Sequence, residues 1–506
     1  MSPFEHGEVF VLDDGSETDL DLGNYERFLD IKLSNDSNLT TGKIYQKVIA
    51  KERRGEYLGK TVQIIPHITN EIIDQLNRVS IQSVDDSKNE PDICVIELGG
   101  TIGDIESMPF VEALRQLQLK VTPQNFCICH VSMVPVTSDG EQKTKPTQHS
   151  VKELRSLGLS PDFIICRSKD VVEKPSRDKI ALFCNVPLEN VLTIPDVKNI
   201  YMVPLLMMDQ NLHQSISKRL NLQENDNDNK VKNSWIDMVN RIDNAEQEIT
   251  IALIGKYIAQ ADAYHSVISS LKHASIFTNQ KLKLKMIESS NLEDSIKNSD
   301  PELYNEAWNT LKNADGILVP GGFGNRGIEG MISAIKYVRE NKIPFLGICL
   351  GMQVAVIEYT RMFLSRPKAN SREFNPSLID EDAAIIFMPE GDKDNMGGTM
   401  RLGSRRTILR NGSKIKELYH NSQYIDERHR HRYEVNPNLV EILEKKGLKF
   451  TGQDESGMRQ ECIELENHPY FIAVQFHPEF KSRPMTPSPP FLGLLQSAKE
   501  KRMKNL

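Results

Sequence analysis

Apolar and polar stretches alternate along the chain in a way that predicts buried strands separated by amphipathic helices. Short apolar runs in the first half predict strands, and stretches with helical spacing predict helices between them. The predicted strands cover residues 93–98, 126–134, 163–166 and 191–194, and two predicted helices cover residues 148–156 and 178–183. This alternation is typical of a parallel sheet with helices on its faces.

The same pattern returns in the second half, from residue 248 onward. One strand is predicted to start at residue 248, and others are predicted over residues 281–287, 316–320, 343–347 and 470–476. A helix is predicted over residues 264–276. Residues 221–233 are polar and rich in Asn and Asp, which predicts a linker between two domains, although a surface loop within one domain is the alternative. We therefore expect a first domain over residues 1–218, a linker over 219–247, a second domain over 248–495 and a basic tail over 496–506.

Composition and charge narrow the class of protein. Lys plus Arg is 62 and Asp plus Glu is 70, so the net charge of 62 − 70 = −8 argues against a general nucleic-acid binder. The chain has no apolar run of about 18 residues, which predicts no membrane partner. Its seven cysteines form no CxxC pair, which argues against a disulfide framework and a four-thiolate zinc site. A reducing compartment, most simply the cytoplasm, is the expectation.

One cysteine lies in special surroundings, between two glycines at the end of a predicted strand. Gly347 and Gly351 flank Cys349 at two residues on each side, and a helical stretch follows. This spacing is the nucleophile-elbow pattern with Cys in place of Ser, and it puts the thiol at a helix N-terminus, which favours the thiolate. A buried Cys on a glycine-containing turn is the alternative interpretation.

Two further motifs lie at predicted strand ends. His477 and Glu479 in QFHPE follow the last apolar run, so His477 could accept the thiol proton and Glu479 could orient the imidazole. The glycine-rich segment PGGFGNRG follows the strand over 316–320, where backbone N–H groups could face an oxyanion. Each motif alone could be a tight loop, but together they predict acyl-transfer chemistry.

These motifs, PGGFGNRG, GICLGMQ and QFHPE, resemble those of the class I glutamine amidotransferase family. The resemblance implies that glutamine is hydrolysed through a thioester at Cys349, with His477 and Glu479 completing the catalytic triad. It also implies glutamine-binding residues, namely Gly322, Gln353, Glu373 and Arg432.

The first half carries residues suited to a nucleotide. Asp21 and Glu97 supply oxygen ligands of the kind that Mg²⁺ prefers, although both could be surface acids. Lys143 and Lys145 precede a predicted helix whose N–H groups could bind phosphates, although a lysine-rich loop is more often solvated surface.

Read with the amidotransferase half, the segments GEVFVLDDG, DLDLGNYERF, ELGGTIGDIES and GEQKTKPTQ resemble the CTP synthase family over nearly the whole chain. The resemblance implies two Rossmann-like doubly wound α/β domains and the ATP-dependent amination of UTP to CTP with ammonia from glutamine. It implies Mg²⁺, GTP as an activator, CTP as a feedback inhibitor, a homotetramer and filaments.

The same resemblance assigns residues of the first half. It makes Asp21 and Glu97 the metal ligands, with Asp21 also at ATP. The residues implied for UTP or CTP are Asp104, Ile105, Glu106, Lys143, Thr144, Lys145, Pro146, Thr147, Gln148 and Lys179. The residues implied near the adenine of ATP are Pro195, Asp196 and Val197.

The chain also departs from that family, whose members carry about fifty more N-terminal residues with a strand and a phosphate loop. No G-x-x-x-x-G-K-[ST] segment occurs here. Either the sequence is an incomplete version of a working synthase, which we favour because every downstream motif is intact, or it is a genuine short isoform or regulatory subunit. In the second case we expect glutaminase activity with impaired ligase activity. Another amidotransferase, such as a GMP synthase, is a further alternative, against which GEQKTKPTQ and DLDLGNYERF argue.

Overall fold

A computed structural model describes residues 7–85, 87–223, 228–260, 262–388 and 400–504. The chain packs as two compact units. Leu39–Asp243 forms the first, here called the middle unit, and Met1–Asn38 together with Asn244–Leu506 forms the second, here called the composite unit. This division differs from the predicted first domain over residues 1–218, because the residues before Leu39 pack against the second half.

The first segment of the composite unit is a short hairpin followed by a helix. Its elements are β1 (Phe10–Val11), β2 (Glu17–Thr18) and α1 (Leu20–Leu29). The two strands pair antiparallel, and Phe10, Val11 and Leu12 are fully buried. Burial of three consecutive apolar side chains fixes this segment to the rest of its unit.

The middle unit is built around a three-stranded parallel sheet. Its elements are α2 (Thr41–Arg53), α3 (Thr69–Ser80), α4 (Met108–Val121), β3 (Cys129–Met133), α5 (Lys145–Ser156), β4 (Phe163–Ser168), α6 (Lys174–Cys184), β5 (Val191–Pro195), α7 (Val203–Asp209), α8 (Leu212–Arg219) and α9 (Asp228–Asp243). The sheet order is β3-β4-β5, with both pairings parallel. The helix between each pair of strands returns the chain to the same end of the sheet, as the alternating pattern predicts.

The strand predicted over residues 93–98 is wrong. These residues have no regular secondary structure, and the side chains of Ile93 and Val95 are 50% and 81% exposed. An apolar run becomes a strand only where a neighbour satisfies its backbone, and no strand of the described ranges pairs with this one.

The predicted linker also differs from the structure, which has helix α9 over its second part. Met238 and Val239 in this helix are buried, and the helix belongs to the middle unit. Residues 221–233 are polar, but the chain after them has apolar residues, including Met238 and Val239, that form the buried side of α9.

The remainder of the composite unit is larger. Its elements are β6 (Glu248–Gly255), α10 (His265–Phe277), β7 (Lys281–Glu288), α11 (Asp294–Ser299), α12 (Pro301–Lys312), β8 (Gly316–Val319), α13 (Ile328–Glu340), β9 (Phe345–Ile348), α14 (Leu350–Phe363), β10 (Asn370–Ser371), β11 (Ala383–Phe387), β12 (Arg401–Leu409), α15 (Lys414–Leu418), β13 (Tyr424–His431), β14 (Tyr433–Val435), α16 (Pro437–Lys445), β15 (Leu448–Asp454), β16 (Gln460–Leu465), β17 (Phe471–Val474) and α17 (Pro489–Lys504).

A nine-stranded sheet organises this unit, in the order β13-β12-β15-β16-β17-β9-β8-β6-β7. The five strands from β17 to β7 are parallel, as predicted, whereas the four from β16 to β13 join by antiparallel pairings. The antiparallel extension was not predicted, because its strands β12 and β13 carry several charged residues that interrupt the apolar pattern. The α/β class predicted for the chain is confirmed.

The predicted basic tail over residues 496–506 is, as far as residue 504, the second half of helix α17. Its apolar residues Phe491, Leu494, Leu495 and Ala498 are fully buried. They are spaced i, i+3, i+4 and i+7, which gives one apolar face. Among the described residues, no helix is long and apolar enough to cross a membrane.

Candidate active site

Cys349 lies on a sharp turn between β9 and α14. Its backbone has φ 51° and ψ −101°, a conformation that L-residues rarely adopt, and its N–H donates to the carbonyl of Val474 at 2.7 Å. A Cβ atom on Gly351 would lie 2.2 Å from the carbonyl oxygen of Val319, and one on Gly347 would lie 2.9 Å from Cβ of Ala473. The elbow predicted from the glycine spacing is therefore confirmed, because only glycine fits at these two positions.

His477 and Glu479 lie beside this elbow because β17, which precedes them, is the parallel neighbour of β9. Nδ1 of His477 lies 2.7 Å from Oε1 of Glu479, and its ring stacks on Phe480 with 5.2 Å between ring centroids. A Cβ atom on Gly321 would lie 3.6 Å from both Nε2 of His477 and Cβ of Cys349. The imidazole and the cysteine side chain thus converge on one point.

The electrostatics of this cluster hold a proton on His477. Burial disfavours the imidazolium, but the Glu479 carboxylate and the Cys349 sulfur together outweigh it and raise the pKa of His477 from 6.5 to about 10. Within the described ranges, Nε2 of His477 is buried without a hydrogen-bond partner. A protonated nitrogen beside the sulfur is suited to give its proton to a leaving group.

The glycine-rich segment closes the site from the carboxyl end of β8. Cε1 of His477 would lie 2.8 Å from a Cβ atom on Gly321, so this backbone runs directly past the imidazole. Lys256, which follows β6, donates from Nζ to the carbonyls of Phe323 and Gly324. Burial lowers the pKa of Lys256 to about 8. These contacts hold the segment against the sheet edge.

A pocket opens between these elements. Its lining residues include Cys349, His477 and Glu479 from the triad, Gly321, Gly322 and Phe323 from the glycine-rich segment, and Glu8, Val9, Tyr257 and Arg430 from elsewhere in the composite unit. A pocket lined by a thiol, an imidazole and a glycine-rich backbone is suited to a small substrate.

The residues predicted to bind glutamine fall in two groups. Gly322 lines the pocket, and Glu373 accepts a hydrogen bond from the N–H of Gly324 at 2.9 Å. Burial raises the pKa of Glu373, while the Gly324 hydrogen bond and the charges of Lys256 and Arg432 oppose this, so all three lie close to that carboxylate.

Gln353 differs, because its side chain is buried within the protein. Its Nε2 donates to the carbonyl of Tyr433 at 2.9 Å and to Oε1 of Gln475 at 3.3 Å. Nε2 of Gln475 in turn lies 3.5 Å from Sγ of Cys349. Gln353 is thus placed to act on the site through Gln475.

In the middle unit, two groups of predicted nucleotide residues share the carboxyl edge of the parallel sheet. Lys143 and Thr144 lie between β3 and α5, and Lys145 to Gln148 form the first turn of α5. Pro195 is the last residue of β5, and Asp196 and Val197 follow it. The N–H of Asp196 bonds the carbonyl of Ser168 at the end of β4. This is the edge at which open α/β sheets bind ligands.

Of the other predicted nucleotide residues, Asp104, Ile105 and Glu106 lie apart from that edge. Asp104, Ile105 and Glu106 form an exposed turn before α4, and a Cβ atom on the neighbouring Gly103 would lie 3.1 Å from Glu153. Glu153 is in the last turn of α5, at the far end of that helix from Lys145. Lys179 is exposed on α6.

Comparison with known proteins decides between the remaining interpretations. Residues 1–222 match the family described as "CTP synthase N-terminus", and residues 259–497 match "Glutamine amidotransferase class-I". CTP synthase 1 of Danio rerio is 56% identical over 98% of this chain and 84% of its own length. CTP synthase 1 of Saccharomyces cerevisiae is 52% identical over 98% of this chain and 88% of its own. The chain belongs to the CTP synthase family.

The chain is therefore a glutamine-hydrolysing carbon–nitrogen ligase of pyrimidine nucleotide biosynthesis, which uses ATP and glutamine to convert UTP to CTP. The family resemblance drawn from the motifs is confirmed. The match over nearly the whole chain does not favour a regulatory subunit, and the N-terminal family match does not favour another amidotransferase. Among solved structures, the glutaminase domain of Trypanosoma brucei CTPS with bound acivicin is 37% identical, covers 50% of this chain and 94% of its own, and has a TM-score of 0.46.

The metal ligands predicted for this CTP synthase family member are not brought together within one unit. Asp21 is in the composite unit, where burial and Asp19 raise the pKa of its carboxyl, and Glu97 is in the middle unit. No group of three His, Cys, Asp or Glu side chains with metal-binding geometry occurs among the described residues. The two acids alone do not form a complete Mg²⁺ site.

Sequence reasoning missed several residues of the glutaminase site, notably Lys256 and the pocket residues Glu8 and Arg430. A charged residue directly after an apolar strand, as in the segment ITIALIGKY, was the available signal for Lys256. Glu8 had no local signal, because only the packing of residues 7–38 against the second half brings it to the pocket. Arg430 had none because it is one of several charged residues of strand β13.

Proposed function

We propose that Cys349, His477 and Glu479 hydrolyse glutamine, and that the ammonia released aminates UTP at the nucleotide-binding half of the chain. The observation that carries this proposal is the meeting of a cysteine on a strained elbow with an imidazole whose other nitrogen is bonded to a buried carboxylate. A purely structural cysteine has no need of either feature.

The first chemical step is the attack of the Cys349 thiolate on the side-chain amide carbon of glutamine. The carbonyl π-electrons move to oxygen, and backbone N–H groups of the glycine-rich segment and of the start of α14 stabilise this oxyanion. His477 then gives its Nε2 proton to the amide nitrogen, the carbon–nitrogen bond breaks, and ammonia leaves behind a γ-glutamyl thioester on Cys349.

Water completes the cycle. His477, now neutral, accepts a proton from the attacking water, and the thioester carbon–sulfur bond breaks to give glutamate and the thiolate. Glu479 keeps Nδ1 of His477 hydrogen-bonded throughout, which fixes the ring orientation in both steps. We assign the α-ammonium of glutamine to Glu373 and its α-carboxylate to Arg432, since an acid suits the first and a guanidinium the second.

For the ligase half we propose that Lys143 to Gln148 bind the UTP phosphates, since free N–H groups and ammonium groups meet at the start of α5. Pro195, Asp196 and Val197 would lie near the adenine of ATP. Asp21 and Glu97 would contribute to binding Mg²⁺, which neutralises phosphate charge when bound. Asp104, Ile105, Glu106 and Lys179 remain proposed for UTP or feedback CTP.

The remaining proposals concern regulation and assembly. We propose a cytoplasmic homotetramer that uses GTP as an activator, responds to CTP as a feedback inhibitor and is able to form filaments. The support is membership of the CTP synthase family and not a feature of the described residues.

The deciding experiment measures the conversion of glutamine to glutamate, and CTP formation from glutamine or from ammonia, for the full chain. Cys349→Ala should abolish glutamine hydrolysis and glutamine-dependent CTP formation while leaving ammonia-dependent CTP formation. Cys462→Ala, at a fully buried thiol of strand β16, is the matched control and should keep both. Glutamine hydrolysis that survives in Cys349→Ala would refute the glutaminase assignment, and a parent chain that makes no CTP from ammonia would refute the ligase assignment.

A further inference from the structure

A buried ionic cluster lies behind the glutaminase triad and involves the first segment of the chain. Arg428 of strand β13 is almost completely buried, with 1% of its side chain exposed. Its guanidinium donates to both carboxylate oxygens of Glu26 at 2.8 and 3.1 Å, to Asp13 at 2.6 Å and to the carbonyl of Val11 at 3.0 Å. All of these acceptors belong to residues 7–38.

The backbone of the same arginine supports the triad. The carbonyl of Arg428 accepts a hydrogen bond of 2.7 Å from the N–H of His477. The side chain of Arg428 is thus held by the first segment of the chain, while its carbonyl holds the start of the turn that carries His477 and Glu479.

The other end of that turn reaches the same carboxylate. Arg483, six residues after His477, donates to Oε2 of Glu26 at 3.2 Å and to the carbonyl of Phe480 at 3.1 Å. The side chain of Glu26 is fully buried. One carboxylate therefore anchors both ends of residues 477–483.

We propose that Glu26 is a positioning residue for glutamine hydrolysis, which fixes the turn of His477 and Glu479 at one end through Arg428 and at the other through Arg483. This inference rests on the proposed function of the triad. If Glu26 has this role, glutamine hydrolysis depends on a residue outside the amidotransferase part of the chain. Glu26 lies within residues 1–222, which match the CTP synthase N-terminus family.

The physical reason is that two buried guanidinium groups share this carboxylate. Without its charge, Arg428 and Arg483 would be left under-compensated in the interior, and both would move toward other acceptors. A shift of about 1 Å in His477 relative to the sulfur is enough to cost roughly 10²-fold in rate, whereas residues assigned to bind glutamine would stay in place.

The test is Glu26→Gln in the full chain, assayed for glutamine hydrolysis. We expect kcat to fall by about tenfold or more and KM for glutamine to change by less than about twofold. Glu358→Gln is the matched control, because Glu358 is also buried and accepts hydrogen bonds from Nε and Nη2 of Arg339 at 3.0 and 2.8 Å, yet it lies nine residues after Cys349 on helix α14. It should keep kcat within about twofold of the parent.

Two results would overturn the inference: an unchanged kcat in Glu26→Gln, or an equal loss in both variants, which would indicate a general effect of removing a buried charge. If Glu26→Gln does not fold, Asp13→Asn removes the other carboxylate on Arg428 and is judged by the same criteria. Cys349→Ala measured alongside separates the two proposals, because hydrolysis that survives there refutes the proposed function itself.

Discussion

At the scale of single residues, the cysteine elbow of the glutaminase site depends on two glycines. Gly351 lets the backbone approach the carbonyl of Val319, and Gly347 lets it approach the side chain of Ala473. The elbow and the His-Pro-Glu segment could be predicted from sequence because each is a local motif with a fixed spacing. The contact of Gln475 with the sulfur, and the backbone of Gly321 beside His477, could not, because they arise only when β8, β9 and β17 lie side by side.

The charge of the sulfur should be visible in the titration of its neighbour. Because the Cys349 sulfur contributes to the raised pKa of His477, Cys349→Ala should lower that pKa from about 10. NMR of ¹³C-labelled histidine rings over pH 6 to 11 would measure it. An imidazole that titrates at the same pH in both proteins would contradict the assignment of the charge to the sulfur.

The backbone at Gly321 should tolerate no side chain. Gly321→Ala puts a Cβ atom 2.8 Å from Cε1 of His477, so the imidazole must move, and we expect kcat for glutamine hydrolysis to fall by about 10²-fold. Gly42→Ala is the control, because that glycine lies in helix α2 and a Cβ atom added there would have no neighbouring atom within 4 Å. It should leave kcat unchanged and be neutral or slightly stabilising; equal losses in the two variants would argue against the close contact.

At the scale of elements, the strands predicted correctly are apolar runs that pair with parallel neighbours in the sheets. Prediction failed for an apolar run that pairs with no strand and for strands of the antiparallel part of the sheet. Strands β4, β5, β7 and β8 were predicted within about two residues of their observed ends. Residues 93–98 have the same composition but no pairing partner within the described ranges, and strands β12 and β13 carry charged residues that conceal an alternating pattern. Sequence alone also could not show that Asp21 and Glu97 belong to different compact units, because the residue types of two distant acids carry no information about which unit each one packs in.

Helix α17 is the element whose role sequence composition most misjudged, and its contribution can be measured. Leu494 is fully buried among apolar residues of the composite unit, so Leu494→Ala should lower the free energy of unfolding by about 2–5 kcal/mol. Met503→Ala, near the end of the same helix and 63% exposed, should change it by less than about 0.5 kcal/mol. Chemical denaturation of both variants would check this, and a loss for Leu494→Ala as small as that for Met503→Ala would show that the helix is dispensable.

At the scale of the whole molecule, buried acids make stability depend on pH. Burial raises the pKa of Glu427 to about 7, although Lys481, Tyr419 and Arg428 favour the charged form. A carboxyl whose folded-state pKa exceeds its unfolded value of 4.5 contributes stability that is fully present below about pH 4.5 and is lost as pH rises toward 7.

Replacement of this acid should therefore flatten the pH profile. Glu427→Gln cannot ionise, so its urea midpoint relative to the parent should rise between pH 5 and pH 8, and the difference should stay constant above about pH 8. Urea unfolding at four pH values would measure it. A difference that is independent of pH would show that Glu427 is charged in the folded protein at every pH tested.

The position of β17 in the sheet has a consequence for how the enzyme comes into being. It is the fifth of nine strands in spatial order, yet it follows all of the other eight along the chain. On the ribosome, Cys349 emerges 477 − 349 = 128 residues before His477. The nascent polypeptide therefore carries Cys349 before it carries His477. Amide cleavage cannot start until β17, the last strand in sequence, has inserted between β16 and β9 in the middle of the sheet.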